Sequence, residues 1–175
     1  MDLKNIIALS HLNSDYTTSL PVVYDDGGRA AAGFKGMAGD CVCRSIAIAT
    51  GRPYLEVYQA LSKGAGSERN TKGASARNGI HIWQRWFKEY VRSVGLVWTP
   101  TMKIGSGCTV HLLQGELPSG RLVVRVSKHL TAVIDGVIHD TDDPQRTTIW
   151  HGEDGLPNRL SHRCVYGYWT YSGEV

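Results

Sequence analysis

Gly39-Asp40-Cys41-Val42-Cys43-Arg44-Ser45-Ile46-Ala47-Ile48-Ala49-Thr50 reads as a turn that breaks directly into a helix. Asp40 is a good capping residue, Val42, Ile46 and Ala49 fall on one helical face, and Thr50-Gly51 supplies a stop. Cys41 is thereby placed in the first turn. Unpaired backbone N–H groups and the positive end of the helix dipole favour an anion there, so the thiol is biased toward thiolate, the form that attacks carbonyl carbon. The competing explanation is packing, because cysteine is among the most buried residue types.

Size and composition narrow the field. A chain of 175 residues with 42% hydrophobic residues fits one domain with a real core. The net charge of +3 is too small to argue for nucleic acid by itself. The apolar run Ile6 to Leu12 lacks the flanking charge and small-residue cleavage site of a signal peptide, and no stretch is long and apolar enough to suggest a membrane helix. The expectation is a soluble protein. Four cysteines, Cys41, Cys43, Cys108 and Cys164, are too few for a disulfide-dense scaffold, which favours a reducing, cytoplasmic setting.

Outward from the cysteine helix, the small residues 29–39 precede it and a second helix follows at 53–62. There Pro53 suits the first turn, and Tyr54, Val57, Tyr58 and Leu61 keep helical spacing. Lys63 to Gly79 is a loop carrying Lys63, Arg69, Lys72 and Arg77 against Glu68 alone. A third helix is predicted over 80–94, with Ile80, Trp83, Phe87, Tyr90, Val91 and Val94 as its apolar stripe. Beyond Gly95 the pattern turns extended. Leu96 to Thr99 reads as a strand stopped by Pro100, Met102 to Thr109 as a loop, and Val110 to Glu116 as a short helix. Arg121 to Ser127 and His129 to Ile134 are strand material, and Asp135-Gly136 before Val137 is a strong hairpin signal. Residues 141–163 read as a long loop with a short strand near Thr147 to Trp150, and the run to Tyr171 as a final strand. Upstream, Leu20 to Tyr24 reads as a short strand.

The hairpin permits a geometric argument. A two-residue turn at 135 and 136 pairs Ile134 with Val137, Thr131 with Asp140 and His129 with Asp142. Side chains alternate, so His129, Thr131, Asp140 and Asp142 share one face while His139 points away. A carboxylate there can hold the His129 ring by one nitrogen and leave the other free, as a general base requires.

The order Cys41, His129, Asp140, with Gly-Asp-Cys opening a helix and Lys128 to Thr141 crossing a hairpin, resembles the papain-like cysteine peptidase fold. The likeness is to small bacterial and phage-borne members, including bacteriocin-processing double-glycine peptidases, and it spans roughly residues 30–171. The resemblance implies an α+β papain-like domain over 1–175. In it, 1–28 is an N-terminal extension, and the helical half 29–95 packs on an antiparallel sheet within 96–175. It implies Cys41 as nucleophile, His129 as general base and acid, and Asp140 as the orienting residue, with Asp142 as a rival. Where such enzymes place an oxyanion-binding Gln ahead of the cysteine, this chain has Lys35, Gly36 and Met37. The Cys41 backbone N–H is one oxyanion donor, and Lys35 is a candidate second.

The expected function is a cysteine-nucleophile hydrolase, a peptidase or amidase, using no cofactor or metal. Its partner would be a protein, peptide or peptidoglycan-type amide. Three other readings compete. One is a catalytically silent papain-like binding protein, and another is a basic nucleic-acid-binding module resting on the 63–77 loop and the third helix. The last is a zinc site drawn from the cysteines and histidines, disfavoured because paired Cys-x-x-Cys knuckles are absent.

Overall fold

A helix made almost wholly of Ala, Ile, Val and Cys cannot sit on a surface, and here it lies in the centre of the molecule. The computed structural model describes residues 19–66, 74–103, 105–146, 148–151, 153 and 157–173. The run Ile6 to Leu12, most of the N-terminal extension, and Arg69 and Lys72 of the basic loop lie outside the described residues. In chain order the elements are β1 (Val22–Tyr24), α1 (Cys41–Thr50), α2 (Tyr54–Gly66), α3 (Arg85–Ser93), β2 (Leu96–Pro100), β3 (Arg121–Val126), β4 (His129–Ile134), β5 (Val137–Asp140), β6 (Thr148–His151), β7 (Pro157–Ser161) and β8 (Val165–Tyr171). The architecture is α+β, with a six-stranded sheet in the order β1-β5-β4-β3-β8-β2 and a separate β6-β7 hairpin.

Every α1 residue from Val42 to Thr50 except Arg44 is buried. One side of α1 rests on β4, β3 and β5, and the other meets α2. Its C-terminal end is closed twice. Gly51 takes the left-handed conformation at φ 70°, and Arg121 at the start of β3 donates to the carbonyls of Ile48 (2.6 Å) and Ala49 (2.7 Å). The final turn of α1 has no basic residue of its own, so this guanidinium fixes the helix to the strand beneath it.

The sheet is covered on both faces. Val123, Leu130 and Trp169 face the helices, while Leu122, Val124, Val126, Val133 and Ile138 pack with Leu20 and Leu112 on the opposite side. That double burial explains why Leu122-Val123-Val124 is a continuous apolar run rather than an alternating one. The β4-β5 hairpin forms as the sequence requires: Ile134 pairs with Val137, Val133 with Ile138 and Ala132 with His139. Asp135 and Gly136 both have positive φ, 47° and 79°, as a twisted two-residue turn demands.

Several expectations need correction. The sheet is not purely antiparallel, because β1 adds to its edge parallel to β5. Residues 22–24 of the N-terminal extension are therefore part of the sheet. The third helix begins at Arg85, not Ile80. Gln84 is extended and gives no side-chain cap, and the β-branched Ile80 and Ile82 lie in irregular backbone that still packs on the core. Trp83 consequently leaves the apolar stripe and is 62% exposed, stacked on His81. β2 ends at Pro100, as expected, with the proline itself the last paired residue, in register with Gly167; as an edge strand β2 tolerates the missing N–H. Val110 to Glu116 forms no helix. Its backbone instead pairs with the entry to β8, where Leu112 N–H donates to Arg163 O and Val110 O accepts from Val165 N–H, both at 2.9 Å. The 141–163 segment contains β7 as well as the expected β6.

Cys108 and Cys164 are joined by a disulfide, tying the loop before β3 to the start of β8. The expectation of a reducing, cytoplasmic setting took no account of this pair, since disulfides form and persist in oxidising surroundings. Among the described residues no helix is long and apolar enough to cross a membrane.

Candidate functional site

Cys41 is the first residue of α1, and His129 and Asp140 come from the adjacent strands β4 and β5, so the cleft lies where the helix N-terminus meets the hairpin. The hairpin register carries the two strand residues to one face. Ala132 and His139 pair across the ladder with side chains on the same side as Leu130, where His139 meets Asp25 at 3.2 Å. One position further along each strand, Thr131 and Asp140 share the other side, and at the end of the hairpin Asp140 still comes within 3.7 Å of the Arg44 guanidinium of α1. His129 Nε2 lies 2.7 Å from Asp140 Oδ2, and the remaining ring nitrogen serves the hydrogen bond between His129 and the Cys41 sulfur. The Leu130 backbone N–H also donates to that sulfur.

The charge states follow from these contacts. Burial pushes the Cys41 thiol up, but the hydrogen bond and positive charge of His129, the Leu130 N–H and the Arg44 guanidinium outweigh it and hold Cys41 below the ordinary thiol value. Burial alone would lower His129; its bonds to Asp140 and Cys41 and their charges raise it to about 9. Asp140 is opposed by its burial yet held below the usual carboxylate range by His129 and by the Thr141 N–H, which donates to Oδ1 at 2.7 Å. Each group therefore favours the charged form of the other, thiolate beside imidazolium. Cys43, two residues on, supplies the contrast. It is fully buried, its thiol donates to Ala76 O at 3.2 Å, and burial followed by the charge of Asp40 pushes it far above the ordinary value.

Asp40 does not cap the helix with its side chain. Its carboxylate is 1% exposed and turns inward to Arg29 Nε (2.8 Å), Arg44 Nη1 (3.1 Å) and the Tyr54 hydroxyl (2.5 Å). Two guanidinium groups thus offset the negative charge that would otherwise oppose the Cys41 thiolate. Arg44 also reaches Asp140 Oδ1 at 3.7 Å, so one half-buried cation spans the carboxylate before the nucleophile and the carboxylate behind the histidine.

Asp142 is not a partner of His129. The β4-β5 ladder ends at Ala132 and His139 and the chain bends away after Asp140, leaving Asp142 exposed with its carboxylate accepting from the Thr141 hydroxyl at 3.2 Å. Lys35 is exposed, is not among the residues that line the cleft, and uses its carbonyl to accept from Arg29 at 3.3 Å. A side-chain oxyanion donor is accordingly not found at that position, and the first-turn N–H groups of α1 are the donors the helix supplies.

The cleft encloses about 260 Å³ between Cys41, Val42, Gly79, Ile80, Trp83, Arg125, Ser127, Lys128, His129 and Tyr166. Sequence reasoning missed Arg29, Arg44 and Tyr54 as supports of the site and Arg125 as a wall of the cleft. The i, i+4 spacing of Asp40 and Arg44 was a usable signal for one of them. The cysteines do not converge on a metal, because Cys41 faces His129, Cys43 faces Ala76, and Cys108 and Cys164 are bonded to each other. No protein-family model, curated protein or solved structure matches this chain.

Proposed function

We propose that this protein is a papain-like thiol hydrolase that cleaves an amide or ester through an acyl-enzyme on Cys41. The single observation that supports the reading most is the Cys41–His129–Asp140 chain of hydrogen bonds at a helix N-terminus, half-buried and open to a cleft. Cys41 Sγ attacks the substrate carbonyl carbon, and the developing oxyanion turns to the N–H groups at the start of α1. The C–N or C–O bond breaks as His129 gives its proton to the leaving atom. Water then loses a proton to His129 and attacks the thioester, releasing the acid and restoring the thiolate–imidazolium pair. Asp140 keeps the ring oriented throughout. Peptide, isopeptide, side-chain amide and peptidoglycan crosslink are all open to this chemistry.

The test is alkylation by iodoacetamide at mildly acidic pH, mapped by mass spectrometry. Cys41 should be labelled far ahead of Cys43, and the advantage should disappear in His129→Ala. Equal, sluggish labelling of Cys41 and Cys43 overturns the reading. The specific observation favouring a catalytically silent binding fold is that Lys35 stands exposed outside the cleft and supplies no second oxyanion donor. That alternative predicts no acyl-enzyme with any activated ester, even where Cys41 is reactive.

A further inference from the structure

Beside the Cys41 cleft lies a larger cavity of about 720 Å³, between α3 and the β2, β8 and β3 strands. Ligand pockets for small molecules and side chains run from about 300 to 1,000 Å³, so it can seat a bulky group. Its floor is apolar, formed in part by the buried Val91 and Trp169. Its mouth carries Trp83 and Trp98, 62% and 37% exposed. Trp83 and Arg125 line both this cavity and the cleft that holds Cys41 and His129, so the two form one continuous surface.

The charge of that surface has one sign. Lys88, Arg92 and Arg125 line the cavity with no carboxylate among its described walls, and no described carboxylate forms an ion pair with any of the three. Arg125 lies with its guanidinium carbon 5.6 Å from the centre of the Tyr166 ring, a stacking contact that holds the fork at the junction of cavity and cleft. An apolar floor beneath a cationic rim selects a ligand that is both apolar and anionic.

We propose that this cavity is the specificity pocket of the Cys41 site. It takes an aromatic or large aliphatic side chain of a peptide whose neighbouring carboxylate is read by Arg125. This rests on the thiol-hydrolase reading, which supplies the reason for a peptide: the cavity opens onto a thiol suited to attack a carbonyl. A nucleotide also combines an aromatic ring with negative charge but offers that thiol no acyl group.

Binding is measured first in the Cys41→Ala chain, so that hydrolytic activity plays no part. Tryptophan fluorescence is titrated with N-acetylphenylalanine, its neutral twin N-acetylphenylalaninamide, and adenosine monophosphate. The acid should bind about tenfold more tightly than the amide. Arg125→Gln should erase that preference, and Arg125→Lys, which keeps the charge without the fork, should retain part of it. Equal affinity for acid and amide, a preference that survives Arg125→Gln, or tighter binding of the nucleotide overturns the proposal. The link to the thiol is read in the intact chain, where N-iodoacetylphenylalanine should alkylate Cys41 faster than its amide counterpart. Acid-selective binding without that labelling preference refutes the assignment of the pocket to Cys41. Failure of Cys41 to outpace Cys43 with plain iodoacetamide is a separate result, and it strikes the thiol-hydrolase reading instead.

Discussion

Asp140 carries a negative charge that the site uses at one remove from the sulfur. Its bond to His129 raises the imidazole to about 9, and the imidazolium in turn holds Cys41 below the ordinary thiol value. The reactive form exists between those two limits. As pH rises from acid the thiolate appears, and as it passes about 9 the imidazolium loses the proton needed for the leaving group. Asp140→Asn keeps the shape and removes the charge, so His129 should titrate lower and Cys41 higher. The window narrows from both sides. Iodoacetamide rates against pH should show the acid limb moved toward neutral, and histidine NMR should show the upper edge moved down; each pK unit corresponds to about 1.4 kcal/mol. An unchanged acid limb would mean that the helix terminus, not the His129–Asp140 pair, sets the thiol. Arg44 is the complementary case, because it lies half-buried between two buried carboxylates, Asp40, which it shares with Arg29, and Asp140, which it shares with His129. Arg44→Met should destabilise the fold by about 3–5 kcal/mol in urea unfolding, the usual cost of leaving a buried charge without its partner. Tyr54→Phe, which removes one hydrogen bond to Asp40 but no charge, should cost less, about 1.5–3 kcal/mol.

At the scale of elements, Arg121 joins a helix to a strand. Its two hydrogen bonds satisfy the Ile48 and Ala49 carbonyls at the end of α1, and that helix is too deeply buried for water to replace them. Arg121→Ala should therefore cost about 1–3 kcal/mol in urea unfolding, and hydrogen exchange should quicken first in the last turn of α1. Exchange that quickens first in β3 would place the loss in the strand instead. Elements set by local chemistry were legible in the sequence. The Asp135-Gly136 turn dictated the hairpin, the hairpin dictated which residues share a face with His129, and the Gly-Asp-Cys turn placed Cys41 at a helix start. Elements set by neighbours were not. Ile80 to Trp83 keep helical spacing, yet the helix waits for Arg85 because the core takes Ile80 and Ile82 in another backbone form. Val110 to Glu116 gives up its helix to pair with the entry to β8. Pairing arithmetic carried His129 to Asp142 because it assumed the ladder continued, whereas β5 ends at Asp140. The inward turn of Asp40 toward Arg29, Arg44 and Tyr54 depends on side-chain direction in three dimensions, for which spacing holds only a partial signal.

Across the whole molecule, the sheet is packed on both faces, and the nucleophile and the disulfide belong to different ones. The helix-facing core holds Cys41 against β4, while the other face packs Leu20, Leu112 and the apolar residues of β3, β4 and β5. The Cys108–Cys164 disulfide belongs to that second side, because it anchors the segment that carries Leu112 beside the entry to β8. It closes a loop with a sequence separation of 56, for which chain entropy gives a stabilisation of about 4 kcal/mol, with measured cases spanning about 2–5. The double variant Cys108→Ser/Cys164→Ser should lose stability of that order in urea unfolding. Arg163 reinforces the same corner by donating to the carbonyls of Pro144 and Ser127, so local order near β8 should survive the loss. The thiol sits on the helix side, where α1 is fixed by Arg121 and Asp40 by Arg29 and Tyr54 independently of the disulfide. Alkylation of Cys41 at temperatures well below the melt should thus proceed at the wild-type rate in the double variant, with the same dependence on pH. A fall in Cys41 reactivity parallel to the fall in stability would show instead that the β3-β4 strands transmit the tension of one face to the other, and that the nucleophile's geometry is a property of the closed loop.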